Sequence, residues 1–220
     1  MRAGNSSGVL EGRRGKKAKW GWIIISGIVA VILILIYWFV VPVWYYNKAK
    51  EASEWNDSDE AIKYYQKAAK FGHANSQYKL GQIFYDEAVL RSVFDMGGDR
   101  ESYLCAVRCF RNAAEQGHAD AQFRLGELFL KGVFLSQSDE KAFTWFQKAA
   151  KQGHAGAQYN LGRMYLTGRG VSLDTDEGGR LIRKAAAQGN DEAKRFLSGE
   201  ETDWGQGNDF QQSAKQSVEE

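Results

Sequence analysis

Residues 148–171 read KAAKQGHAGAQYNLGRMYLTGRGV, and the reading of this stretch decides the fold. Starting just upstream of it, Ala142, Trp145, Phe146, Ala149 and Ala150 fall at i, i+3, i+4, i+7 and i+8, which makes one wide apolar stripe on a helix. Gly153 then stops that helix, as a residue free to adopt a left-handed conformation does. A second helix follows, carrying Ala157, Tyr159, Leu161, Met164 and Tyr165. The unit is therefore a pair of short helices around a tight turn.

Moving outward, the same unit recurs. AIKYYQKAAKFGHANSQYKLG from Ala61, AVRCFRNAAEQGHADAQFRLG from Ala106, AFTWFQKAAKQGHAGAQYNLG from Ala142 and GGRLIRKAAAQGNDEAKRFLS from Gly178 superpose without gaps. Their turn glycines, Gly72, Gly117, Gly153 and Gly189, are 45, 36 and 36 residues apart. Large residues recur at Tyr65, Phe110, Phe146 and Ile182, and at Leu80, Leu125, Leu161 and Leu197; small ones recur at Ala69, Ala114, Ala150 and Ala186. A lone hairpin cannot bury its stripe, whereas stacked hairpins share a continuous core. The expected fold class is all-α: an α/α superhelical solenoid of about four helix pairs, over roughly 59–99, 100–139, 140–176 and 177–199. The first repeat carries about nine extra residues, DEAVLRSVFDMGGDRES at 86–102. They lengthen its second helix, form a separate contact element, or are a neutral surface insertion.

These residues resemble the Sel-one-like repeat family, relatives of tetratricopeptide repeats. KAAKQGHAGAQYNLGRMYLTGRGV follows the family pattern almost position for position, AAEQGHADAQFRLGELFLKGV (113–133) nearly so, and the resemblance covers 59–199. It weakens at both ends: repeat one lacks the GxGV loop, and repeat four lacks the histidine and carries Phe196 and Ser198 in its second helix. The resemblance implies an adaptor or scaffold for other proteins. In bacteria such repeats are associated with envelope assembly, host interaction and toxin-binding immunity proteins; in eukaryotes, with endoplasmic-reticulum quality control.

The N-terminal part obeys different rules. Residues 20–47, WGWIIISGIVAVILILIYWFVVPVWYYN, carry no charge, and a helix of that length exceeds a hydrocarbon core of roughly 30 Å. Trp20 and Trp22 at one end, and Tyr37, Trp38, Trp44, Tyr45 and Tyr46 at the other, suit two headgroup interfaces. The run is longer than a signal-peptide core and ends in bulky rings rather than a cleavage site, so an uncleaved span over 20–46 is expected. Arg2, Arg13, Arg14, Lys16, Lys17 and Lys19 precede it, opposed by Glu11. The positive-inside bias then places the N-terminus in the cytoplasm and the solenoid outside it. A bacterial inner membrane with a periplasmic domain is the expected setting, or the endoplasmic-reticulum membrane in a eukaryote. Residues 1–19 read as a basic, disordered cytoplasmic arm, 47–58 as a short juxtamembrane linker or a continuation of the helix, and 200–220, rich in Glu, Gln, Ser and Gly, as a disordered tail.

Charge and motifs limit the chemistry. Of 29 bases and 27 acids, six and one precede residue 20, leaving 23 and 26 for the remainder. A net-acidic remainder lacks the electrostatic footprint of nucleic-acid binding. His73, His118 and His154 share one G-H-A position in successive repeats, so stacking holds them a repeat apart, too far for a common metal ion. Cys105 and Cys109, four apart on one helix face, read as two small thiols. No phosphate-binding glycine loop or nucleophile–base pair is present, and neither an enzyme nor a cofactor or small-molecule substrate is expected. The candidate partner-binding positions lie opposite the first-helix stripe: Lys63, Arg108, Thr144 and Arg180, and one turn on Gln66, Arg111, Gln147 and Arg183. In tetratricopeptide-like solenoids the first helices line the concave face, so the column fits an acidic protein surface or peptide. The expected function is a membrane-tethered protein–protein interaction scaffold; an immunity-type binder of a secreted effector and a component of a cell-envelope machine are the alternatives.

Overall fold

The computed structural model describes residues 8–55, 57–93, 100–132 and 135–199, with side chains from Gly27 onward. The elements among the described residues are all helices: α1 (Gly8–Glu54), α2 (Ser58–Lys70), α3 (Ala74–Val93), α4 (Arg100–Glu115), α5 (Ala119–Lys131), α6 (Asp139–Lys151), α7 (Ala155–Thr167), α8 (Thr175–Ala187) and α9 (Asp191–Ser198). Helices α2–α3, α4–α5, α6–α7 and α8–α9 are the four hairpins. The tail from Glu200, and Asn56 of a formal glycosylation sequon at 56–58, lie outside the described residues.

The turn in each hairpin follows from one glycine. After α6, Gly153 sits at φ 91°; its N–H donates to the Ala150 carbonyl and the next N–H, of His154, to Ala149. This is a Schellman motif, and a Cβ at Gly153 would meet nothing within 4 Å, so the left-handed backbone and not space demands glycine. Gly72, Gly117 and Gly189 repeat it at φ 81°, 92° and 93°.

The stripes bury as their spacing requires. Phe110, Phe146 and Ile182 are essentially inaccessible, and each points at a glycine in the second helix of the preceding repeat: Gly81, Gly126 and Gly162. A Cβ on those glycines would stand 2.7 Å from the facing side chain. Helix glycine costs about 1 kcal/mol against alanine, a cost accepted here for close approach. Trp145 departs from its expected core position. It is half-buried, with the Lys148 ammonium 4.1 Å from its ring centroid. Phe146 fills the core position instead.

Packing also decides two boundaries that the sequence left open. The 86–102 insertion lengthens the second helix of repeat one: α3 has 20 residues where α5 and α7 have 13. Its added turns pack on an early start of α4, with Tyr85 and Tyr103 rings 5.7 Å apart and Ala88, Tyr103 and Val107 buried together. Residues 94–99 lie outside the described ones. In addition, α1 is helical from Gly8, within the stretch read as an arm, and continues through Pro42 and the 47–58 linker to Glu54. The reason is packing. Pro42, Ala49 and Ala52 are buried, and Ala49 and Ala52 share a cluster with Ala61, Tyr65 and Leu80 of the first hairpin.

Before that packed end, from Ile28 to Val40, α1 is apolar and uncovered on every side. Each large side chain from Ile28 to Val40 is between 48% and 80% exposed. Among the described residues this one helix is long and apolar enough to cross a membrane.

Candidate functional site: the exposed face of the first helices

The buried stripe of each first helix leaves the opposite side in solvent, and the eight positions chosen from sequence fall there. Lys63, Gln66, Arg108, Arg111, Thr144, Arg180 and Arg183 are exposed; Gln147 is half-buried. The structure therefore aligns them along α2, α4, α6 and α8. They are not equally available. Arg180 is held by Glu177 through two hydrogen bonds, 2.7 and 2.6 Å, and the Thr144 hydroxyl donates to the Glu140 carbonyl at 2.8 Å. Arg108 lies 3.7 Å from the Cys105 sulfur.

Sequence reasoning missed half of this surface. The adjoining positions on the same face add Lys67, Lys148 and Lys184, and a turn further Lys70 and Lys151, with Glu115 an acid among them, all exposed. The signal was a KAA triplet repeated at 67, 148 and 184, visible in the alignment but taken only for its alanines. The repeats at 59–199 hold 20 bases and 17 acids, and ten of those bases gather on the exposed face of the first helices, the arrangement that steers an acidic partner.

The G-H-A histidines do structural work at a different place. Nδ1 of His118 and of His154 accepts the backbone N–H of Ala121 (3.3 Å) and Ala157 (3.1 Å), so each ring is the N-cap of a second helix and carries its proton on Nε2. His154 Nε2 faces the Asp120 carboxylate at 3.2 Å. Burial pushes all three imidazoles below their ordinary value, with Asp120 pulling His118 and His154 partly back. Each ring also lies against an aromatic ring on the helix before the hairpin's first one: His73 on Tyr46 of α1, His118 on Tyr78 of α3 and His154 on Phe123 of α5, at 4.8, 4.6 and 4.4 Å. Cys105 and Cys109 are free and half-buried, and burial raises the Cys109 thiol. Among the described residues no three His, Cys, Asp or Glu side chains stand together as a metal-binding group.

A ladder of glutamines joins the repeats. Gln77, Gln122 and Gln158 are buried near the starts of α3, α5 and α7. Each donates to the carbonyl of Ala69, Ala114 or Ala150 in its own hairpin. Each also accepts from the turn glutamine of the next, Gln116 (2.6 Å), Gln152 (2.7 Å) or Gln188 (2.5 Å). Buried amides stay satisfied, and successive repeats keep a fixed angle.

Comparison with known proteins agrees with this architecture. A profile described as the Sel1 repeat matches residues 51–73, 74–118, 119–154 and 155–190, and its first match begins inside α1. Among solved structures the chain is similar to a Sel1 repeat protein from Oxalobacter formigenes, with 26% identity and a TM-score of 0.61 over 72% of this chain and 63% of that one. It is also similar to a protective antigen of uropathogenic Escherichia coli strains displaying an SLR fold, with 22% identity and a TM-score of 0.47 over 80% and 44%. The chain thus spans less than two thirds of the length of either. No curated protein matches the sequence.

Proposed function

The chain belongs to the Sel1 repeat family, and from that premise we propose that it is a membrane-tethered scaffold whose first helices bind an acidic protein surface. The observation carrying this reading is the basic face that runs across the first helices of all four repeats, where ten of the 20 bases of residues 59–199 gather. The tether is supported by the uncovered apolar face of α1, since water does not tolerate a contiguous patch of that size and a bilayer does. The basic residues before residue 20 favour a cytoplasmic N-terminus and a solenoid on the far side, periplasmic in a bacterial inner membrane. Within this reading the domains run from an arm (1–19) and span (20–46) to the repeats (59–199) and tail (200–220). No catalytic step is assigned to it.

Crosslinking the full chain in its native envelope, followed by mass spectrometry, tests the surface. Arg108→Glu with Arg111→Glu should cut partner recovery by about tenfold and flatten its dependence on salt, because exposed charge contacts are screened. Unchanged recovery would remove the basic face from the interface. The partner's nature separates the narrower readings: a single soluble effector fits an immunity-type binder, a stable membrane assembly fits an envelope machine.

A further inference from the structure

The first repeat lacks a rung of the glutamine ladder, and what replaces the rung points at the bilayer. Residue by residue, the far half of α1 keeps the register of a second helix. Tyr46 stands where Tyr78 and Phe123 stand: it touches the next core ring, Tyr65, at 6.0 Å and the next turn histidine, His73, at 4.8 Å. Three residues later Ala49 takes the place of Gly81, Gly126 and Gly162. One residue before Tyr46, Tyr45 takes the place of Gln77, Gln122 and Gln158, and the turn residue that should answer it is not Gln but Phe71. The two rings stack at 6.4 Å and 20°, and Phe71 also meets Tyr37 and Trp38 edge-on at 5.7 and 5.8 Å.

This cluster fixes a depth. Helix α2 runs back down α1: Ala61 packs near Ala52, Tyr65 near Tyr46, and Phe71 near Tyr37 and Trp38. Trp20 and Trp38 are eighteen residues apart on one helix, roughly 27 Å, close to the ~30 Å of one hydrocarbon core. If the outer interface lies instead at Trp44 to Tyr46, Phe71 is deeper still. Tyr37 and Trp38 remain more than half exposed and Phe71 is half-buried, so the cluster presents rings outward, as headgroup-level aromatics do. Two cations bound the depth from the other side. Lys67 Nζ lies 5.4 and 5.3 Å from the Tyr45 and Tyr64 ring centroids, and Lys70 beside Phe71 is exposed. Ammonium groups on long stems reach headgroups but resist the hydrocarbon.

We infer that the first repeat is seated on the membrane: the α2–α3 turn enters the headgroup layer with Phe71 as its apolar tip, and Lys67 and Lys70 contact the lipid headgroups around it. The seating rests on α1 spanning the bilayer. It holds the solenoid at a set tilt and height, so the basic face does not sweep freely on a flexible stalk.

The test uses the full chain, with Cys105→Ala and Cys109→Ala, in nanodiscs of phosphatidylethanolamine and phosphatidylglycerol. Nitroxides are placed singly at Lys70→Cys, Leu33→Cys and Lys151→Cys, the last being the equivalent of Lys70 two repeats on. Collision with oxygen against a water-soluble nickel chelate reads depth. Site 33, well inside Trp38 and exposed, should report hydrocarbon, site 151 water, and site 70 the headgroup boundary, with nickel access several-fold below that of site 151. A label at exposed Asn75 gives a second reading of the same turn. Phe71→Gln should return site 70 to the access of site 151 while helical circular dichroism is unchanged. Sites 70 and 75 as nickel-accessible as site 151, with site 33 in hydrocarbon, overturn the seating and leave the tether standing. A nickel-accessible site 33 overturns both.

Discussion

His118 and His154 show how one residue type can suggest one chemistry and serve another. Their recurrence invites a metal site, yet each imidazole lies on a ring and accepts a backbone N–H with Nδ1, and the second role requires the neutral form. Burial holds them below the ordinary 6.5, so once pH drops under that value the unfolded chain takes up protons that the folded chain does not. Stability should then be level above about pH 6.5 and fall as acidification proceeds from there towards the folded-state value. Repeat four supplies the control: Asn190 caps α9 through its Oδ1, 2.7 Å from the Ala193 nitrogen. His118→Asn with His154→Asn should keep the fold and flatten the decline in urea midpoint between about pH 7 and about pH 5.5. A decline as steep as that of the natural chain would show that other groups cause it.

At the level of helices, packing separates neighbours that the pattern places together. Phe146→Ala should cost roughly 3–5 kcal/mol in denaturant titration, because the ring is fully enclosed. Trp145→Ala, at a half-buried ring capped by Lys148, should cost about 1 kcal/mol. Gly126→Ala should cost about 1–3 kcal/mol by forcing the Phe146 ring aside, and Phe146→Leu should recover part of it. Equal losses at 145 and 146, or no loss at 126, would contradict this packing. The helix pairs, their turn glycines and the apolar stripe were legible in sequence because local period and backbone conformation set them. The Leu-Gly pairs at 80–81, 125–126 and 161–162 were equally visible but had no local reason, since the ring each glycine admits belongs to the next repeat. For the same reason the choice between a linker and a continued α1 stayed open. Tyr45, Tyr46, Ala49 and Ala52 have the spacing of a packed face, but their partners appear only once α2 is folded against them. Of the candidate surface, the positions could be read from helix periodicity; the carboxylate already holding Arg180 could not be read from the stripe alone.

For the whole molecule, α1 and the solenoid are one packed unit, and a boundary at residue 59 cuts through it. A chain beginning at residue 48 lacks the Tyr45 and Tyr46 rings that cover Phe71, Tyr65 and His73. Hydrogen exchange in mild detergent should find α2 amides exchanging at least tenfold faster in that piece than in one beginning at residue 37, with α6 and α7 unaffected. Identical α2 protection would separate the stem from the domain. The glutamine ladder, finally, has a mechanical meaning. If the chain is tethered and captures a partner as proposed, a pull between the two runs along the stack and meets its amide clasps in series, Gln77 to Gln116, then Gln122 to Gln152, then Gln158 to Gln188. In repeat four the corresponding residue is the exposed Lys194, so the clasps stop there and the short α9 is fastened on one side. Under such tension the stack should peel from its far end inward, one hairpin at a time, with the repeat beside α1 the last to let go.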